Sequence, residues 1–336
     1  MIPKHIDIFE IDQEVNRWKN IETNLKVLCK QANIAYAFKI QPSDIGSFVQ
    51  DRILLFYVFD LVYSKLLLEE FNQQCIQHNK KLVIVCDSFF NEPVELSNLI
   101  VISDPKLLSL CSGFDQLLPT VRSKSKLFNC FIHRADPTRQ SWFYFLYLNG
   151  LLDQGYASYL LYQTHEIHSH LDLYDNNHNS ELNSLEKFRK AYKDLRNSVP
   201  YRNFEDNKNL NHLVLDSKYS LILETYANID DHYATYISEK TIRSLEHPCL
   251  DLIFGQHGTF KQLSDHNIVF NKKLAEVDDN SWINRQQNIL KVLTKDTIDA
   301  SIEHMYEQCN HNRDLFGRWY REIASPKYYE KYIELL

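Results

Sequence analysis

The sequence predicts an α/β protein made of two successive sheet-forming units, and three observations predict it. Leu82-Val83-Ile84-Val85-Cys86 and Leu99-Ile100-Val101-Ile102 are apolar on both faces, as parallel strands buried between two layers must be. Asp87 follows the first run and Ser103-Asp104-Pro105 the second, so carboxylates stand at the strands' carboxyl ends, the edge where α/β sheets collect ligands. A later stretch, Tyr219 to Phe270, repeats the pattern as a strand ending in Glu224-Thr225, a polar loop, a helix opening at Tyr236-Ile237-Ser238-Glu239-Lys240, and a strand Cys249 to Phe254 that breaks at Gly255. With 336 residues, two domains are the natural division. The expected boundaries are 1–123, 124–305 and a helical tail, 306–336, packed at the junction.

In chain order, residues 1–45 mix short apolar runs with polar breaks, and Pro42-Ser43-Asp44 reads as a turn or helix start. From Ser47 to His78 the apolar residues, among them Phe48, Ile53, Phe56, Phe59 and Phe71, keep a helical period, which predicts one long helix or two abutting ones. The two buried strands follow. Ser123-Lys124-Ser125-Lys126 is a polar hinge before a third strand, Leu127 to Ile132, and Pro137 then suits the first turn of a helix that runs to Asn149-Gly150. Residues 153–213 carry little pattern beyond a charged helix from Glu181 to Arg196. Trp282 to Cys309 has helical spacing, and Asp314 to Leu336 is a tyrosine-rich tail broken by Pro326.

Composition narrows the function. Apolar residues make up 44% and charged residues 24%, ordinary for a globular protein. A formal charge of -7 argues against nucleic acid as a partner, because neutralising phosphates takes a basic surface. The seven cysteines lack CxxC spacing and several sit in apolar runs, the pattern of reduced thiols. The first residues lack the apolar core of a signal peptide, and no stretch is long and apolar enough for a transmembrane segment, so the expectation is a cytoplasmic protein. Trp319, Tyr320, Arg321, Lys327, Tyr328, Tyr329, Lys331 and Tyr332 leave peripheral membrane contact open, against packing across the domain junction.

The chemistry concentrates at Glu239-Lys240. A carboxylate can bridge two ribose hydroxyls and an ammonium can meet a diphosphate, so the pair can serve both ends of a nucleotide; an ordinary solvated pair in a first helical turn has the same look. Tyr236 precedes the pair and Glu224 closes the strand before it. This pattern, apolar strand, Glu-Thr, loop, Tyr-Ile-Ser-Glu-Lys-Thr, resembles the donor-binding domain of the α-1,3-fucosyltransferases, in which a Phe-Glu-Asn-Ser segment precedes Tyr-Ile-Thr-Glu-Lys. The resemblance implies the GT-B architecture: two Rossmann-like domains facing a cleft, a nucleotide sugar held by the C-terminal one, and a C-terminal helix crossing back. It implies Tyr236 beside the nucleotide, Glu239 on the ribose and Lys240 on the phosphates, with Glu224, Thr225, Ser238 and Gly255 bordering the donor. An arginine after the first strand of that domain reaches the pyrophosphate in the family; Arg134 and Arg139 both fit, Arg134 the better for its place at the strand end. The chain departs from the family at Thr225-Tyr226, in place of Asn-Ser, and at Ser238, in place of Thr. The implied donor is a GDP-sugar such as GDP-fucose, with a UDP-sugar also open.

Transfer with inversion needs a carboxylate to take the acceptor hydroxyl's proton, and in such an enzyme it comes from the N-terminal domain. Asp87, Glu92 and Asp104 follow buried strands, and Asp87 is favoured. His165-Glu166-Ile167-His168-Ser169-His170 is not HExxH, because Ser169 stands where the second histidine belongs, and no Asp-x-Asp is well placed. The expectation is therefore a transferase with no metal and no cofactor, whose partners are a nucleotide sugar and a glycan or other hydroxyl acceptor. The alternative is a non-catalytic module that binds sugar nucleotides or glycans.

Overall fold

In the computed structural model, which describes residues 8–57, 65–90, 94–116, 118–132, 149–159, 210–224 and 234–336 together with 139, 142, 145 and 146, the chain forms two sheets joined by a short ribbon. The first sheet holds β1 (Ala35–Phe38), β2 (Arg52–Tyr57), β3 (Lys81–Cys86), β5 (Val94–Leu96) and β6 (Leu99–Ser103) in the order β1-β2-β3-β6-β5. The first four in that order are parallel and β5 runs antiparallel at the edge. Side chains alternate between the faces of a strand, and both faces here are covered. Leu54, Phe56, Val83 and Val85 pack on Trp18, Ile21 and Leu25 of α1 (Ile8–Gln31). Ile53, Leu55, Leu82 and Ile84 pack on Leu68, Phe71 and Cys75 of α2 (Lys65–Gln77).

The helix expected from Ser47 to His78 is thus corrected: Arg52–Tyr57 is a strand, and Lys65–Gln77 is helical. Ile53, Leu54, Leu55 and Phe56 are four successive apolar residues, a run that satisfies a helical stripe and a two-faced strand equally. Parallel pairing with both β1 and β3 decides for the strand, and each of the four fully buried side chains contributes about 1.5–3 kcal/mol there.

The second sheet is β7 (Lys126–Ile132), β8 (Gly155–Tyr159), β9 (Ser217–Leu223) and β11 (Leu250–Phe254), all parallel. Its order is β8-β7-β9-β11. The chain goes from β7 to one side for β8 and returns to the other side for β9, so the order reverses between β7 and β9. Such a reversal leaves a crevice outside the carboxyl ends of the two strands. β8 falls in the stretch that carries little sequence pattern; the charged helix expected over Glu181 to Arg196 lies outside the described residues.

Helical segments cover this sheet: α3 (Leu210–Leu215), α4 (Glu239–Leu245), α5 (Thr259–Asp265), α6 (Trp282–Lys295) and α7 (Ile302–Ile323). The continuous spacing from Trp282 to Cys309 is divided between two helices. Asp296 turns into the left-handed region, φ 45°, and ends α6, and Ser301 caps α7 by accepting the His304 amide at 3.2 Å. α7 serves both cores. Leu315, Phe316 and Trp319 pack with the second sheet, whereas Ile323 joins Tyr329 and Tyr332 of the tail against α1 and the first sheet. Among the described residues, no helix is long and apolar enough to cross a membrane.

Two further connections tie the halves together. β4 (Phe89–Phe90), just past the end of β3, pairs antiparallel with β10 (Ala234–Thr235), with Phe89 opposite Thr235. The loop after the 3-10 helix Pro105–Cys111 is held from three sides: Arg17 donates to the Ser112 carbonyl at 2.5 Å, Arg313 donates to the Phe114 carbonyl at 3.0 Å, and Glu246 accepts the Gly113 amide at 2.6 Å.

Candidate functional site

Glu224 stands immediately after β9, and its amide donates to the Phe254 carbonyl at 3.0 Å, continuing the β9–β11 ladder to the sheet's carboxyl edge. Its side chain turns onto the start of α4. Oε1 accepts the Ser238 amide at 3.0 Å and the Thr241 hydroxyl. Ser238 is the N-cap of α4, and its own hydroxyl accepts the Lys240 amide at 3.2 Å. One carboxylate therefore locks the segment that carries Glu239 and Lys240 against the strand end beside the β7–β9 crevice.

Lys240 Nζ pairs with Glu239 Oε1 at 3.0 Å, and the two side chains are 32% and 34% exposed. Burial works to raise the Glu239 carboxyl, but the Lys240 charge and hydrogen bond outweigh it and hold the group below the usual carboxylate range. The pair is half-open to solvent, so an incoming anion can compete with Glu239 for the ammonium group.

Behind this pair, Tyr236 is buried and its amide donates to Gln256 Oε1 at 2.7 Å. Gln256 belongs to the loop Gly255-Gln256-His257-Gly258 that follows β11. Gly255 is required by close approach: a Cβ there would lie 2.7 Å from the Thr259 hydroxyl oxygen. The loop's far end is fixed by Asp278, which accepts the Gly258 amide at 3.0 Å and faces His257 at 3.4 Å. Glu224 at the end of β9, the segment before α4 and the loop after β11 thus meet at the second sheet's carboxyl edge.

From the first sheet, Asp87 follows β3 and is buried. It lies two residues before Phe89, and Tyr236 lies one residue after Thr235, so the β4–β10 ribbon draws the end of β3 toward the Tyr236–Lys240 segment. Asp104 also ends a strand, and its amide donates to the Cys86 carbonyl at 2.7 Å. Its carboxylate is already engaged: Tyr328 donates to it at 2.8 Å, Tyr332 at 2.5 Å and the Lys106 amide at 3.3 Å. Those bonds make Asp104 an anchor for the C-terminal tail.

Of the residues singled out by sequence, Glu224, Tyr236, Ser238, Glu239, Lys240 and Gly255 come together at this edge, and Asp87 is joined to it through the ribbon. Arg139 is buried in helical conformation past β7. Glu92, Arg134 and Thr225 lie outside the described residues, as does the His165–His170 cluster. Thr241, the last residue of the Tyr-Ile-Ser-Glu-Lys-Thr pattern, and Gln256, whose only sequence signal is nearness to Gly255, join the residues at this edge through the bonds to Glu224 and to the Tyr236 amide. Among the described residues, no group of three His, Cys, Asp or Glu side chains is placed to hold a metal ion. Comparison of the chain with protein-family models, with curated proteins and with solved structures finds no match.

Proposed function

We propose that this protein is a glycosyltransferase that moves a sugar from a nucleotide diphosphate sugar to a hydroxyl acceptor with inversion, its two sheets serving as the two halves of a GT-B fold. The observation that carries the reading is the bond from the Ser238 amide to Glu224. It fixes a carboxylate, a lysine and a buried tyrosine beside the crevice where a sheet of this order takes its ligands. In this reading Lys240, with Arg134 or Arg139, neutralises the leaving diphosphate, where the largest charge develops. Asp87 takes the acceptor's proton as the new C–O bond forms at the anomeric carbon, and the old C–O bond breaks with its electron pair leaving on the nucleoside diphosphate. A GDP-sugar is the favoured donor and a UDP-sugar the next.

The second reading is a non-catalytic module that binds sugar nucleotides. The engagement of Asp104 by two tail tyrosines favours it, because it takes one strand-end carboxylate of the first sheet away from the role of base. A melting-temperature screen against GDP-, UDP-, CMP- and dTDP-sugars tests both, since a ligand bound by the native state alone raises the transition. A shift accompanied by slow release of free nucleotide supports the enzyme; a shift without turnover across acceptors supports the module; no shift with any donor contradicts both.

A further inference from the structure

Glu224 is 1% exposed, and its two oxygens are in unlike states. Oε1 receives both the Ser238 amide and the Thr241 hydroxyl, whereas Oε2 is buried with no hydrogen-bond partner. A desolvated carboxylate oxygen left without a donor is costly, and such an orphan beside a ligand crevice marks a group waiting for one. Nothing about the carboxylate is loose: its backbone continues the β9–β11 ladder, and the two donors on Oε1 fix the plane of the carboxyl group. It also stands at the carboxyl end of β9, one of the two strands that flank the reversal of strand order.

The chemistry of the missing partner follows from charge. A phosphate oxygen would be repelled by a carboxylate, so the diphosphate is assigned to Lys240 and not to this position. A neutral hydroxyl is a donor that adds no charge, and a sugar nucleotide carries hydroxyls next to its phosphates. We infer that Glu224 Oε2 accepts a hydrogen bond from a sugar hydroxyl of the bound nucleotide sugar and so recognises the carbohydrate part of the ligand. The inference rests on the nucleotide-sugar reading above.

The test is Glu224→Gln. The amide keeps a carbonyl oxygen for Ser238 and Thr241 and replaces only Oε2, by a group that cannot accept. Titration calorimetry is run with whichever of GDP-fucose or UDP-glucose raises the wild-type melting temperature, and in parallel with the matching nucleoside diphosphate. Loss of one hydrogen bond to a charged group is read as a fall in affinity of roughly ten- to a hundredfold. Glu224→Gln is expected to show that fall for the nucleotide sugar while melting near the wild type. If Glu224→Gln leaves nucleoside diphosphate binding unchanged, the hydroxyl belongs to the transferred sugar; if it weakens both ligands equally, the hydroxyl is on the ribose. Wild-type affinity in Glu224→Gln, or a loss of affinity that only matches a loss of folded protein in its melting curve, overturns the inference while the nucleotide-sugar reading stands. Failure of the wild type to bind either donor overturns the reading and the inference together.

Discussion

Glu246 accepts the backbone amide of Gly113 at 2.6 Å, and the same carboxylate accepts the Ser112 hydroxyl, so a residue at the end of α4 holds the chain as it leaves the first sheet. Glu246 is 1% exposed, and Cys309 of α7 donates to its carbonyl at 2.8 Å. The connection between the halves is therefore a buried polar clasp. Glu246→Ala at pH 5 leaves the buried Ser112 hydroxyl and the half-buried Gly113 amide unmet and is expected to lower unfolding free energy by about 2–4 kcal/mol in urea titrations.

The clasp also titrates. Burial pushes Glu246 up to about 7, against the pull of Ser112, Gly113 and the Arg313 and Arg17 charges. Asp251, buried beneath α4 with Ser244 donating to it, is likewise pushed to about 7 by burial. A carboxyl raised in the folded state binds more protons there than in the unfolded chain, so the stability it contributes is present at low pH and is lost as pH rises through about 7. His247 has the opposite sign, because burial holds it down to about 4, and its contribution grows as pH rises toward the ordinary imidazole value. Glu246→Gln, which cannot ionise, is expected to gain stability relative to the wild type between pH 5 and pH 8. Melting curves across that range check this, and a constant difference between the two proteins counts against it.

The tail is anchored through Asp104. Tyr332→Phe removes one hydroxyl donor from that carboxylate and is expected to cost about 1.5–3 kcal/mol, with no change in nucleotide-sugar affinity. A loss of affinity in Tyr332→Phe, with stability unchanged, would move Asp104 from the tail anchor to the binding site.

Gly255→Ala sets a methyl group against Thr259 and is expected to cost about 1–3 kcal/mol by overpacking. Adding Thr259→Ala removes the obstructing hydroxyl, and the double variant should recover part of the loss in thermal unfolding. Equal destabilisation in single and double variants would place the strain elsewhere in the loop.

Much of the α/β character was legible because Leu82–Cys86 of β3 and Leu99–Ile102 of β6 are unbroken apolar runs, and β11 is one interrupted by Asp251 alone, as parallel strands need when helices cover both faces. β2 was misread because four successive apolar residues fit two periods, and only its partners on either side distinguish them. The β4–β10 ribbon has two residues per strand, too few to carry a period. At the site, Glu239-Lys240 stood out by spacing, and Glu224 by its position at a strand end. The bond that joins Glu224 to Ser238 spans a loop and exists only in three dimensions. Glu246 was invisible for a similar reason: in sequence it is a glutamate at the end of a helix, before His247-Pro248, and only Ser112 and Gly113 show it to be buried and spoken for.

Under the proposed function, the Tyr236–Lys240 segment binds a nucleotide sugar and supports transfer from it. Release of nucleoside diphosphate from GDP-fucose and from UDP-glucose, measured for the wild type and for Lys240→Ala with and without glycan acceptors, tests it most directly. Lys240 is 32% exposed and pairs with Glu239 in the first turn of α4, so Lys240→Ala should melt within a few degrees of the wild type. Wild-type turnover is expected to be accelerated by an acceptor and to fall about a hundredfold or more in Lys240→Ala, the scale seen when a preorganised charge is removed from a developing anion. Equal turnover in the two proteins, or none in the wild type with either donor, would contradict it.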